Sequence, residues 1–119
     1  MSIPNETLRK VLFELQNKLI EDNRKLTLVR SQIQTKERDK RLAELTKHEL
    51  STLKPDTRTY KSVGKAFIKA DLPELMKDLD VRVTKAKSDL ITLDKSKKHL
   101  ERNVNESQTY LREITNSRG

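Results

Sequence analysis

The stretch "TRTYKSVGKAFIKAD", residues 57–71, has a different composition from the sequence on either side of it. It gathers β-branched and aromatic residues around Gly64, which is typical of two short strands joined by a turn. The long flanking segments are rich in charge and carry apolar residues at helical spacing. We therefore predict a β-hairpin at about residues 57–69 between two long helices, with Gly64 taking a positive φ at a turn or bulge.

Each flanking segment carries apolar residues at alternating spacings of four and three, the pattern of a coiled coil. In the first segment, residues 5–45, these are Leu8, Leu12, Leu15, Leu19, Leu26, Val29, Ile33 and Ala43. In the second segment, residues 72–116, they are Leu72, Met76, Leu79, Val83, Ala86, Leu90, Leu93, Leu100, Val104, Leu111 and Ile114. A chain of 119 residues that is 37% charged and 33% hydrophobic suits thin helices better than a broad core. The predicted fold is a single mainly α domain, residues 1–119, built as an antiparallel coiled-coil hairpin.

Polar residues interrupt both seams, and two of them suggest how the helices pair. The antiparallel register that places Asp22 opposite Lys97 also places apolar residues opposite one another, such as Leu15 opposite Val104. A slip by one heptad would face both charges with apolar residues, at a cost of about a few kcal/mol. Asp22 and Lys97 are therefore interpreted as setting the register. The alternative is that both side chains extend to water and set nothing.

The connection between the helices, residues 46–71, is too long for a simple turn. We predict one or two separate helical turns in "LTKHELSTL", with Thr46 and Glu49 at capping-box spacing and a break at Pro55. A two-stranded hairpin is marginal in water by itself, and its edges offer unpaired backbone groups to further strands. The hairpin is therefore expected to pair with copies or relatives of itself.

The rest of the composition excludes several functions. The net charge is +8, but Lys and Arg alternate with Asp and Glu, as in "KERDKRLAELTKHE", so no nucleic acid is expected as primary partner. The chain has no Cys and only two Gly, and His48 lies far from His99 in sequence. We therefore expect no catalytic site, no metal and no cofactor. No apolar run is long enough to span a membrane, and a cytoplasmic protein is expected.

Three stretches resemble β-type prefoldin subunits over nearly the full chain: "FELQNKLIEDNRKL", "TYKSVGKAFI" and "KKHLERNVNESQTYLREI". The most specific element is Y-x-x-V-G-x-x-F, here Tyr60, Val63, Gly64 and Phe67. This resemblance implies a hexamer of two α-type and four β-type subunits, with hairpins joined into β-barrels and coiled coils hanging from them. It also implies capture of unfolded actin- and tubulin-class polypeptides and their delivery to the cytosolic chaperonin, without ATP hydrolysis.

The resemblance assigns two groups of site residues. The predicted assembly residues lie in the hairpin and are Tyr60, Val63, Gly64, Phe67 and Ile68. The predicted client-binding tip lies at the chain ends, where no further heptad covers the seam, and comprises Leu8, Val11, Leu12, Phe13, Tyr110, Leu111 and Ile114.

Val11 and Phe13 lie off the seam, so their exposure suggests client contact. The alternative is that they merely cover the flank of the seam. A generic coiled-coil scaffold or tether is the alternative function, and it predicts parallel self-dimers.

Overall fold

The structure, a computed structural model, describes residues 4–54, 57–64 and 66–118, without the side chains of Val63, Ser117 and Arg118. The elements follow in the order α1, β1, β2 and α2. They are a helix at Asn5–Ser51, strands at Thr59–Val63 and Ala66–Ala70, and a helix at Leu72–Arg118. Two long helices with a two-stranded hairpin between them confirm the predicted fold class.

Helix α1 begins at the predicted residue but continues six residues beyond the predicted end. Its first turn closes with a 2.9 Å hydrogen bond from the Leu8 N–H to the Pro4 carbonyl. The Thr46 hydroxyl does not cap a new helix; it donates to the Leu42 carbonyl at 2.8 Å within the continuing helix. No Gly or Pro lies between residues 46 and 51, so nothing local ends the helix before Ser51.

The hairpin has the predicted form. Strands β1 and β2 are antiparallel, with Thr59 opposite Ala70 and Val63 opposite Ala66. Gly64 lies in the turn with a φ of 60°, as predicted. A Cβ built on Gly64 would meet nothing within 4 Å, so the requirement for glycine at this turn is conformational rather than steric.

Helix α2 begins where the sequence predicts. The Leu75 N–H donates to the Asp71 carbonyl at 3.0 Å, and Pro73 lies in the first turn, where its missing N–H costs nothing.

Close contacts divide the chain into two compact units. The first combines Met1–Ile33 with Leu93–Gly119, and the second is Gln34–Thr92. Each buries a narrow seam rather than a broad core. The buried side chains of the first unit are Leu8, Asp22, Leu26, Val104 and Ser107, and those of the second are Ala43, Thr59, Leu79 and Ala86.

The register of the two helices in the second unit differs from the predicted one. Lys36 pairs with Asp89 at 3.2 Å, and Lys47 pairs with Asp80. The predicted register would place these lysines opposite residues 83 and 72, about 9 and 12 Å away along α2 at about 1.5 Å per residue. Both displacements have the same direction and correspond to about one heptad.

The longer α1 explains this displacement. Leu50 lies in the last turn of α1 and lines a groove with Leu72 and Met76 of the first turns of α2. With α1 ending at Ser51 instead of residue 45, the two helices still meet near the hairpin, but about one heptad out of the predicted alignment. The predicted register was chosen to oppose Asp22 and Lys97, and it took no account of a longer α1.

Candidate functional site

The pairing of β1 with β2 gives the hairpin two distinct faces. Cross-strand partners share a face, and successive residues alternate between faces. Tyr60 therefore lies on the same face as Ser62 and as their partners Lys69 and Phe67. Tyr60 is 55% exposed and Phe67 75% exposed, so this face offers two uncovered aromatic rings.

The opposite face of the hairpin is partly covered. Thr59 is buried, and its hydroxyl donates to the Ala70 carbonyl at 2.5 Å. Lys61, on the same face, pairs with Asp78 of α2 at 3.6 Å. Ile68, the partner of Lys61, is nevertheless 53% exposed. This face therefore lies toward the start of α2 and leaves the aromatic face open.

The hairpin also leaves its backbone edges open. Within the described ranges, β1 and β2 form a two-stranded sheet, and the outer edge of each strand has no neighbouring strand. Such edges are templates for further strands, and two strands by themselves are marginally stable. The arrangement is suited to completion by strands from other chains.

The five predicted assembly residues all fall in this hairpin. Tyr60 and Phe67 share the open face, and Ile68 lies on the other face. Gly64 forms the turn, and the backbone of Val63 pairs with Ala66, while the Val63 side chain lies outside the described part of the chain.

The residues predicted for client binding fall in the first unit, and exposure divides them. Leu8 is buried, and three further seam residues are half-buried. The half-buried ones are Leu12, Leu111 and Ile114. The exposed ones are Val11 at 38%, Phe13 at 64% and Tyr110 at 53%.

Some of these residues line a common groove between α1 and α2, which we call the terminal groove. Its lining is Val11, Glu14, Leu15, Lys18, Tyr110, Glu113 and Ile114. Phe13 lies outside this lining, although it is the most exposed of the predicted tip residues. The predicted register placed Leu15 opposite Val104, whereas Leu15 lies here with Tyr110 and Ile114, a displacement in the same direction as in the second unit.

The predicted ion pair between Asp22 and Lys97 is not formed in the described part of the chain. Asp22 is buried and pairs within its own helix with Lys18, at 3.3 Å. Lys97 pairs within its own helix with Asp94, at 3.8 Å. Each charge finds a partner one turn away, so neither needs the other across the seam. The interpretation of this pair as setting the register is therefore wrong.

Other ion pairs lie along single helices. Lys98 lies 3.0 Å from Asp94, and its hydrogen bond holds the pKa of that carboxyl below its usual range. Arg24 donates to Glu21 at 2.7 Å, which lowers the pKa of Glu21 in the same way. These pairs are exposed to solvent and contribute little to stability.

Sequence reasoning missed a set of apolar residues that lie off the seams and are exposed. They are Ile20, Leu28, Leu42, Leu45, Val81 and Ile91. The available signal was their helical spacing, since Ile20 follows Phe13 by seven residues and therefore shares its side of α1. These residues fall outside the heptad positions that define the seams, so the seam pattern does not include them.

Two other kinds of site are absent from the part of the chain that the structure describes. The described residues contain no group of three or more His, Cys, Asp or Glu side chains placed to hold a metal ion. In the same part of the chain, no helix combines the length and apolar character needed to cross a membrane.

Comparison with known proteins identifies the class. The family model described as "Prefoldin subunit" matches residues 14–118. The chain belongs to the prefoldin family, as the resemblance predicted.

The chain is also similar to several proteins named prefoldin subunit 1. Prefoldin subunit 1 of Arabidopsis thaliana is 34% identical over 110 residues, covering 92% of this chain and 86% of that protein. Prefoldin subunit 1 of Homo sapiens is 33% identical over 111 residues, covering 93% of this chain and 91% of the human one.

A solved structure supports the fold independently. The crystal structure of the prefoldin beta subunit from Thermococcus strain KS-1 matches with a TM-score of 0.79 at 20% identity, covering 94% of each chain. At this identity the likeness bears on the fold alone, and it confirms the β-type arrangement of one hairpin between two helices.

Proposed function

We propose that this chain is a β-type subunit of a hexameric prefoldin co-chaperone with two α-type and four β-type subunits. Its hairpin joins the strands of neighbouring subunits into a β-barrel. The observation that carries the proposal is the hairpin itself, which has two open backbone edges and exposes Tyr60 and Phe67 on one face. Burial of two aromatic rings and pairing of free edges are the usual contributions to such an assembly.

The proposed activity is capture of unfolded polypeptides by the apolar residues of the first unit, above all Val11, Phe13 and Tyr110. Exposed apolar side chains bind unfolded segments weakly and without strict sequence preference. Several such sites on one hexamer raise the overall affinity through effective concentration. We further propose actin- and tubulin-class polypeptides as clients, with delivery to the cytosolic chaperonin in the cytoplasm and no ATP hydrolysis.

The alternative of a generic scaffold predicted parallel self-dimers and no β-barrel. Within the second unit, α1 and α2 of the same chain pair through Lys36–Asp89 and Lys47–Asp80, so their seam is already satisfied within one chain. This pairing favours the co-chaperone proposal.

The direct test is native mass spectrometry of the complex purified through this chain. The proposal predicts six chains, two of them α-type subunits. Isolation of the chain as a homodimer, or with no other prefoldin subunit, would contradict it.

A further inference from the structure

The terminal groove has an unusual combination of apolar and charged residues. Leu15 and Ile114 of the two seams are half-buried in its lining, and Val11 and Tyr110 are exposed there. Three ionisable side chains complete the lining: Glu14, Lys18 and Glu113. An apolar side chain from another molecule that entered the groove would therefore lie beside charged groups.

Lys18, the only cation in this lining, already forms an ion pair with a residue outside the groove. Lys18 Nζ lies 3.3 Å from Asp22 Oδ2, and Asp22 is buried in the seam and does not line the groove. Glu14 and Glu113 have no ion pair within 4 Å in the described part of the chain, and both are exposed. The groove is therefore locally negative, although the chain as a whole carries a net charge of +8.

We propose that the terminal groove selects unfolded segments in which a large apolar side chain is flanked by Lys or Arg. This inference rests on the proposed capture of polypeptides and names the class of segment that this groove prefers. The apolar side chain covers Leu15 and Ile114, and the neighbouring cation lies near Glu14 and Glu113. A charge within a few Å of both carboxylates is well inside the screening length of about 8 Å at physiological salt.

Asp22 has a different role here from the ion pair with Lys97 that the sequence predicted for it. By holding Lys18, it prevents that ammonium from competing with a client cation for Glu14. Asp22 is thus a positioning residue for the groove and not part of its lining.

The test uses the assembled complex and detects contact with this chain alone. The chain has no cysteine, so Asn17→Cys, at an exposed position of α1 near Glu14, accepts one photo-crosslinker on the purified chain before assembly. The probes are two unstructured peptides with the same central Leu and Phe, flanked by Lys in one and by Gln in the other. We expect the Lys peptide to crosslink about threefold to tenfold more, as for two exposed ion pairs. High salt should remove that difference.

Variants then test whether the groove carboxylates are responsible. Glu14→Gln with Glu113→Gln should lower the yield of the Lys peptide to that of the Gln peptide. Lys18→Gln should leave the yield of the Lys peptide nearly unchanged, because Asp22 already holds this ammonium away from Glu14. The matched control Glu37→Gln with Glu44→Gln makes the same charge change at exposed positions of the second unit, and it should leave the preference unchanged.

The outcomes separate this inference from the proposed function. Equal crosslinking of both peptides at low salt, or a preference that survives Glu14→Gln with Glu113→Gln, would overturn the inference while leaving capture intact. An equal loss of the preference for the Lys peptide in the control variant would also overturn the inference, since the overall charge of the chain would then explain the preference. Crosslinking of neither peptide to the complex that carries Asn17→Cys as its only substitution would overturn both the proposed capture and the inference.

Discussion

The hairpin and the terminal groove both expose apolar side chains, but they differ in what a partner must supply. The hairpin adds open backbone edges to Tyr60 and Phe67, so its partner must present an ordered strand at a defined spacing. The terminal groove lies between two helices, whose backbone groups are already paired. A partner therefore contacts only side chains in this groove, and an unfolded segment can make such contacts.

Exposed apolar area alone therefore does not define a function in this chain. Phe67 and Phe13 are both largely exposed, yet one sits on a strand with an open edge and the other on a helix. The first is suited to a permanent, geometrically defined interface, and the second to transient contact. Substitutions in the two regions should therefore have different consequences.

The largest effect is expected from removing the aromatic rings of the hairpin. Tyr60→Ser with Phe67→Ser should weaken incorporation into the complex by about 1,000-fold, since about 4 kcal/mol of aromatic burial is lost. Incorporation is measured by competition against the unaltered chain, followed by native mass spectrometry. Val81→Ser with Ile91→Ser removes similarly exposed apolar groups from α2 and should have little effect. Normal incorporation of the hairpin variant would show that its aromatic face is not an interface.

The next effect should fall on client capture and spare assembly. Val11→Ser with Phe13→Ser should weaken binding of an unfolded polypeptide by about thirtyfold per site, from about 2 kcal/mol of lost apolar burial. The hexamer should form normally, because neither residue lies in the hairpin or on the seam. Binding is measured with a labelled, denatured protein diluted into the complex. Unchanged capture would show that neither residue belongs to the client-binding site.

Substitution at the turn should have a smaller effect that depends on conformation. Gly64→Ala should reduce the stability of the assembled complex by about 1 kcal/mol, because alanine disfavours a φ of 60°. Gly64→Asn should cost less, since asparagine tolerates this region better. Thermal unfolding of the complex is the measurement. A larger loss with Asn than with Ala would indicate that side-chain volume matters, against the open space around Gly64.

The smallest effect tests the register that brings Tyr110 into the groove with Leu15. A double-mutant cycle on Lys36 and Asp89 should give a coupling free energy of about 0.2–1 kcal/mol, as for exposed ion pairs. A cycle on Asp22 and Lys97 should give a coupling near zero, because each pairs within its own helix. A coupling between Asp22 and Lys97, with none between Lys36 and Asp89, would instead support the register predicted from the seams.

The sequence predicted the hairpin and the starts of both helices because these depend on local chemistry. Gly64 marked the turn, and Asp71 followed by Leu72 and Pro73 marked the start of α2. The end of α1 could not be predicted in the same way. The segment from Thr46 to Ser51 carries no residue that stops a helix, and only the later Pro55 was visible as a breaker.

The register and the groove were less predictable because they depend on contacts between distant residues. The predicted pair of Asp22 with Lys97 took no account of opposite charges one turn away in the same helix. These are Lys18 for Asp22 and Asp94 for Lys97. The sequence did place Val11 and Tyr110 among the tip residues. It could not show that Tyr110 lines a groove with Glu14, because that depends on the register.

Hydrogen exchange of the purified complex reports on the hairpin and on the terminal groove in one measurement, so it can distinguish a permanent interface from a transient one. We expect slow exchange for amides of Thr59–Val63 and Ala66–Ala70 before any client is added, since a two-stranded hairpin alone would exchange quickly. Adding an unfolded polypeptide should then slow exchange near Val11 and Tyr110 and leave the strands unchanged. Fast exchange of the strand amides in the complex, or protection of the strands only when client is added, would contradict this expectation.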